Sequence, residues 1–200
     1  KLRNLVDESY AELFDNETAA VPQLKKISRL ISQITGIDNS ATNITKNLDE
    51  LPFPTFDTID YIKYRSALGQ GNPVAVIIGS RGCPYQCSYC DRSVFLKGYR
   101  FNSAEYVYEQ MMFLKRDFRV RHIFFYDDLF TLQRERIEEF CRLMQRKPLG
   151  MTFNCAVRIG HIDDDLLKML KAAGCWMVSI GIESGDPDLL ARHKSNIDLN

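Results

Sequence analysis

Apolar and polar positions follow two alternating periods along the second half of the chain. Residues 74–78 form an apolar, β-branched-rich run, the pattern of a strand buried on both faces. A loop follows, and then Ala104, Val107, Met111 and Leu114 keep the spacing of one helical face, with Asn102 expected as its cap and Glu105 completing a capping box. The pattern repeats. Residues 122–126 read as a strand. Ile137, Phe140, Cys141 and Met144 read as a helix, with Thr131 as its expected cap. Residues 151–157 read as a third strand, and Asp163 starts a helix carrying Leu166, Leu167 and Leu170 that Gly174 ends. Residues 176–182 read as a fourth strand, followed by a helix with Pro187 in its first turn. Four β–α units in series predict an α/β fold: parallel strands, right-handed crossovers and helices on the outside. The predicted architecture is a partial parallel (β/α) barrel.

Residues 1–72 follow a different pattern. Residues 8–14 and 21–34 are plausible helices, the second with Leu24, Ile27, Leu30, Ile31 and Ile34 on one face. Residues 35–47 are rich in polar turn formers, and "LDELPFPTFD" holds two prolines two residues apart, which favours extended chain. The expected division is an accessory segment or tail of an upstream domain at 1–50, an extended linker at 51–72 and the N-terminal part of the barrel at 73–200.

Composition changes this picture little. The 200 residues carry 26 basic and 26 acidic side chains, a net charge of zero, so a bulk basic surface for nucleic acid is not indicated. No run approaches the roughly 18 apolar residues of a membrane span, and no charged leader followed by an apolar stretch opens the chain. Of six cysteines, Cys141, Cys155 and Cys175 sit singly within apolar patterns, as small buried hydrophobes do. Free thiols of this kind suit a reducing compartment, and the expected location is the cytoplasm.

The other three cysteines carry the candidate chemistry. Cys83, Cys87 and Cys90 are spaced C-x3-C-x2-C on a loop with Gly82 and Pro84, directly after the first strand. In parallel β–α folds, ligands bind at that end of the sheet. Thiolates are soft ligands for iron–sulfur clusters, zinc or copper. A structural zinc site takes four ligands, and here the local count is three with no histidine nearby, although Cys141, Cys155 or Cys175 could add a fourth. Three cysteines suit a four-iron cluster with one iron open. A cluster of inert thiols is the remaining reading.

"SRGCPYQCSYC" resembles the signature of the radical S-adenosylmethionine (radical SAM) superfamily, with Tyr89 in its aromatic slot. "LPFPTFD", "IFFYDDLFT" and "SIGIESG" are similar to the subgroup whose members often carry an N-terminal cobalamin-binding domain, among them methyltransferases and the anaerobic cyclase of chlorophyll synthesis. The resemblance spans about residues 48–195. It implies that Cys83, Cys87 and Cys90 hold a [4Fe-4S] cluster whose fourth iron takes the amino and carboxylate groups of S-adenosylmethionine. Reductive cleavage would then yield a 5′-deoxyadenosyl radical that abstracts hydrogen from a substrate. It further implies that Tyr89 lies near the adenine. Asp127 or Asp128, standing where many members have Gly-Gly-Glu, would meet the cofactor's ammonium. Glu183 and Ser184 would contact the ribose or methionine part, and Arg158 could pair with the carboxylate. The resemblance also implies a small-molecule substrate and a one-electron reductant protein, with cobalamin supplied through another domain, since no Asp-x-His-x-x-Gly motif occurs here. His122, His161 and His193 stand at no metal-ligand spacing and are expected to be structural or solvated, and residues 163–165 mark a helix start. The rival readings are a methylthiotransferase-type member acting on RNA or protein, or a non-enzymatic zinc or iron–sulfur module.

Overall fold

The computed structural model describes residues 45–58, 60–91 and 98–194. The chain divides into two compact units, Lys1–Lys46 and Asn47–Asn200, and the second contains the cysteine loop and the β–α pattern. The helices expected at 8–14 and 21–34 lie outside the described residues.

A four-stranded parallel sheet forms the frame. Its strands are β1 (Val74–Ile77), β4 (His122–Phe125), β5 (Thr152–Val157) and β6 (Cys175–Ile180), hydrogen-bonded in that order. The helices α1 (Ala104–Phe118), α2 (Arg134–Arg146) and α3 (Asp164–Ala172) connect them, and α4 (Pro187–His193) follows β6. Adjacent parallel strands joined through single helices are what the serial β–α pattern predicts. The strands start and stop within one or two residues of the expected positions.

One face of the sheet and the three connecting helices share a core. Ile77, Ile123, Phe125, Phe153 and Cys155 meet Met111, Leu114, Ile137, Phe140 and Leu166, all buried. Aromatic rings fill its middle, with Phe125 4.6 Å from Phe130 and 5.5 Å from Phe153, centroid to centroid. On the opposite face Val76, Ile78 and Tyr126 are exposed.

Three details depart from expectation. The cap of α1 is Ser103, whose hydroxyl accepts from Tyr106 N–H at 3.1 Å; Asn102 instead donates its amide to Asp49 at 3.0 Å. Helix α2 has no side-chain cap: it begins after Gln133, and Thr131 is turned inward behind the buried Leu129 and Phe130. Residues 51–72, expected as a linker, fold into short 3-10 turns at Phe56–Thr58 and Tyr61–Lys63, whose Phe56 and Tyr61 join the core. Paired prolines keep the stretch irregular, while its aromatic side chains still bury.

A feature with no sequence signal is a small antiparallel ribbon. Strands β2 (Ser80–Arg81) and β3 (Arg100–Phe101) pair Ser80 with Phe101 and Arg81 with Arg100. The three cysteines lie between them in the chain, so the ribbon closes the base of the segment that carries them.

Candidate cluster and cofactor site

The base of the loop is held by charge. Asp127, at the end of β4, accepts from Gly79 N–H at 2.8 Å and from the Ser80 hydroxyl at 2.6 Å. Arg136 reaches in from α2, donating to the Gly79 carbonyl at 3.0 Å and to the Asn102 carbonyl at 2.7 Å. Both side chains are buried. Burial pushes the Asp127 carboxyl up, opposed by the Ser80 hydroxyl, the Arg136 charge and the Gly79 N–H. A Cβ on Gly79 would stand 2.7 Å from the Arg136 guanidinium, so the close approach requires glycine there. Asp128, the exposed neighbour, accepts from Gly82 N–H at 2.8 Å, where Gly82 turns the chain at φ +89°.

Further along, the loop is clamped from two distant elements. The Tyr85 hydroxyl lies 2.6 Å from His161 Nε2. The Arg158 guanidinium, buried after β5, stacks 4.0 Å over the Tyr85 ring and directs Nη1 at Cys87 Sγ, 3.7 Å away. Burial, and then the Arg158 charge, hold the His161 imidazole below its ordinary pKa. On the other side Ser88 N–H donates to the His193 carbonyl at 2.9 Å, and Ser88 Oγ meets His193 Nδ1 at 2.8 Å. A turn from Cys90 N–H to the Cys87 carbonyl, 3.2 Å, brings the second and third cysteines to one bend. Cys87 is buried, Cys83 half-buried and Cys90 exposed.

The expected cofactor residues divide into two groups. Cys87, Tyr89, Arg158 and Glu183 come together. Burial raises the Tyr89 phenol, and hydrogen bonds and charge from Cys87 and Glu183 raise it further, while its ring remains 53% exposed. Glu183 adopts φ +67° and lies 3.4 Å from Lys194 Nζ, which also donates to the Gly181 carbonyl. Asp127 and Ser184 are turned to local backbone: Asp127 as above, and Ser184 Oγ accepts from Asp186 N–H at 3.0 Å. His122 is fully buried at the other end of the sheet, between Thr152 and Asn154.

The loop clamps were missed in the sequence. His161 and His193 read as structural or solvated because their partners lie 76 and 105 positions away. Arg136 had a usable signal: it stands four residues before Phe140, on the apolar face of α2.

The donor set fits an iron–sulfur cluster. Three thiols share one short loop at the C-terminal edge of the sheet, and a buried guanidinium beside Cys87 favours its thiolate form. Among the described residues no three Cys, His, Asp or Glu side chains converge on the position of a single metal ion; the ligands of a cubane each bind a different iron and share a rim rather than a point.

A parallel β/α sheet that presents a three-cysteine loop at its C-terminal edge defines the class to which this molecule belongs, that of the radical SAM cores. The chain is a member of the radical SAM superfamily, whose family model matches residues 77–199. It is 32% identical over 148 residues to the uncharacterized methyltransferase PH0819 of Pyrococcus horikoshii, covering 74% of this chain and 32% of that protein. It is 28% identical over 141 residues to the anaerobic magnesium-protoporphyrin IX monomethyl ester cyclase of Rubrivivax gelatinosus, covering 70% and 25%. Among solved structures, the fold matches the radical SAM methyltransferase TsrM from Kitasatospora setae, with a TM-score of 0.55 and 22% identity over 61% of this chain and 24% of that one. It also matches the cobalamin-dependent radical SAM enzyme OxsB, with a TM-score of 0.52 and 26% identity over 59% and 19%. The chain thus spans about a third or less of the length of these relatives.

Proposed function

We propose that this chain is the N-terminal part of the catalytic barrel of an enzyme that cleaves S-adenosylmethionine reductively, with methyl transfer or cyclisation as the outcome. The observation that carries the reading is the cysteine loop, closed by β2–β3 and clamped at the C-terminal edge of a parallel sheet. A [4Fe-4S] cluster on Cys83, Cys87 and Cys90 supplies the electron for that cleavage when bound. The protein's task is to hold the parts still. Arg158 offsets thiolate charge at Cys87 and, stacked on Tyr85, keeps the loop rigid. Asp128, exposed beside the loop, is the aspartate placed to meet a cofactor ammonium, whereas Asp127 acts by fixing the Gly79–Ser80 turn. Glu183 suits ribose hydroxyls, with Ser184 shaping its turn, and the exposed Tyr89 ring suits adenine.

The named relatives support a small-molecule substrate and cobalamin held by a part of the protein outside this chain. A one-electron reductant protein and a cytoplasmic location complete the proposal. Among the described residues no helix is long and apolar enough to cross a membrane.

The test is anaerobic reconstitution of the full-length protein. The expected result is about four irons and four sulfides per chain, and 5′-deoxyadenosine on reduction in the presence of S-adenosylmethionine. Cys87→Ala abolishes both. A protein that binds a single zinc, or that carries the cluster and never cleaves the cofactor, refutes the proposal.

A further inference from the structure

The turn that follows β5 grips the cysteine loop with both of its corners. Arg158 and His161 are the first and fourth residues of one β-turn, closed by His161 N–H donating to the Arg158 carbonyl at 3.0 Å. Gly160, the third residue, adopts φ +86°, the left-handed conformation that this position takes in a type II turn. Both corner side chains converge on Tyr85. Arg158 lies over the ring, 4.0 Å from its centroid, and His161 Nε2 is 2.6 Å from the hydroxyl. The other imidazole nitrogen is buried and meets no hydrogen-bond partner among the described residues. The hydrogen bond that this side chain makes there runs to Tyr85.

Stacking on Tyr85 is only half of what Arg158 does. Its side chain is buried, and Nη1 points at the buried Cys87 Sγ, 3.7 Å away. Away from water, a cationic donor on a thiolate ligand draws negative charge from the metal centre and favours its reduced, more negative form. The strength of that effect depends on where the guanidinium sits, and a long side chain has several rotamers to choose from. Three contacts narrow the choice. The turn fixes the arginine's backbone, the Tyr85 ring fixes its guanidinium, and His161 fixes the Tyr85 hydroxyl.

We propose that the Arg158–His161 turn sets the reduction potential of the cluster on Cys83, Cys87 and Cys90. Arg158 raises the potential by donating to Cys87, and His161 is a positioning residue that acts through Tyr85. This control rests on the cluster reading above and decides how readily the centre accepts its electron.

The test is a redox titration of the reconstituted full-length protein, followed by electron paramagnetic resonance without S-adenosylmethionine, with iron measured on every variant. Arg158→Met is expected to make reduction less favourable by about tenfold or more, a shift of about 59 mV to more negative potential for one electron. His161→Leu and Tyr85→Phe each break the hydroxyl contact and shift the potential the same way by a smaller amount. His161→Gln, whose amide can still meet the Tyr85 hydroxyl, stays with the parent. The double variant of Arg158→Met and His161→Leu matches Arg158→Met alone, since His161 acts through the arginine. If Arg158→Met loses its iron, the comparison of Tyr85→Phe, His161→Leu and His161→Gln carries the test. Parental potentials in iron-replete Tyr85→Phe and His161→Leu overturn the proposal. An unchanged potential in Arg158→Met overturns it as well, and assigns that arginine to the cofactor carboxylate or to packing; neither result touches the cluster reading. A parent that takes up no cluster overturns both.

Discussion

At the scale of single residues, buried polar groups reveal most about this protein. His122 is enclosed at the start of β4, its Nε2 paired with Asn154 Oδ1 and its Nδ1 with the Thr152 hydroxyl at 2.7 Å. Both ring nitrogens are satisfied there, and burial favours the neutral imidazole. Burial lowers its pKa in the fold, only partly offset by the Asn154 contact, and His161 is lowered in the same direction. A histidine whose folded pKa lies below its unfolded value contributes stability that is present above about pH 6.5 and lost as pH falls through the window down to the folded pKa, because the unfolded chain binds the proton more readily. The urea midpoint is therefore expected to fall between about pH 7.5 and 5.5, and His122→Gln to flatten that slope. An unchanged slope in the variant would show that His122 does not titrate on unfolding. The residue scale also marks the limit of local reading. The C-x3-C-x2-C spacing was legible because its three cysteines are neighbours in the chain. The clamps His161 and His193 were not, because a histidine's role here depends on a partner brought near only by folding.

Elements meet at a latch. Arg136 projects from α2 into the junction of β1, β2 and β3, holding the carbonyls of Gly79 and Asn102 while its charge faces Asp127. It also lies 5.7 Å from the rings of Phe101 and Phe130. Removing it leaves Asp127 buried without its compensating charge and the Asn102 carbonyl short of a donor, while the Gly79 carbonyl keeps only Asn102 N–H. Arg136→Ala is expected to cost about 3 kcal/mol or more, read from denaturant midpoints, and to loosen the cysteine loop so that iron uptake falls. Arg136→Lys cannot reach both carbonyls through one ammonium and recovers only part of the loss. A variant as stable as the parent would mean that water replaces the latch. Helix starts teach a related lesson. Asp163 caps α3 as its sequence predicts, accepting from Leu166 N–H at 2.8 Å. Thr131 does not cap α2, because Asp127 and Asp128 are tied to the cysteine loop and Leu129 and Phe130 are drawn into the core, which turns Thr131 inward.

For the molecule as a whole, the core and the loop are separate mechanical parts. Helices α1 to α3 pack on one face of the sheet, whereas the cysteine loop hangs from the ribbon, from Asp128, and from α4 through Ser88 and His193. A ligand that binds only the folded loop stabilises the fold by mass action, and the protection it adds should appear where the loop is anchored. Cluster loading is therefore expected to raise the melting temperature and to slow hydrogen exchange in residues 82–91 and in α4, with little change in α1 to α3. Protection confined to the helical core would argue that the cysteines do not hold the cluster.

The chain's own pattern determined the class of fold and the place of the three-thiol loop. Strand and helix periods are local, and the three cysteines are adjacent, so neither needs long-range information. Only the tertiary structure decided which groups surround those thiols. It brought Arg158 to Cys87, and tied Asp127 to the loop's base while leaving Asp128 exposed. The physical reason is common to all of these: a side chain's chemistry is set by what approaches it in space, and those neighbours come from strand ends and helices tens of residues apart.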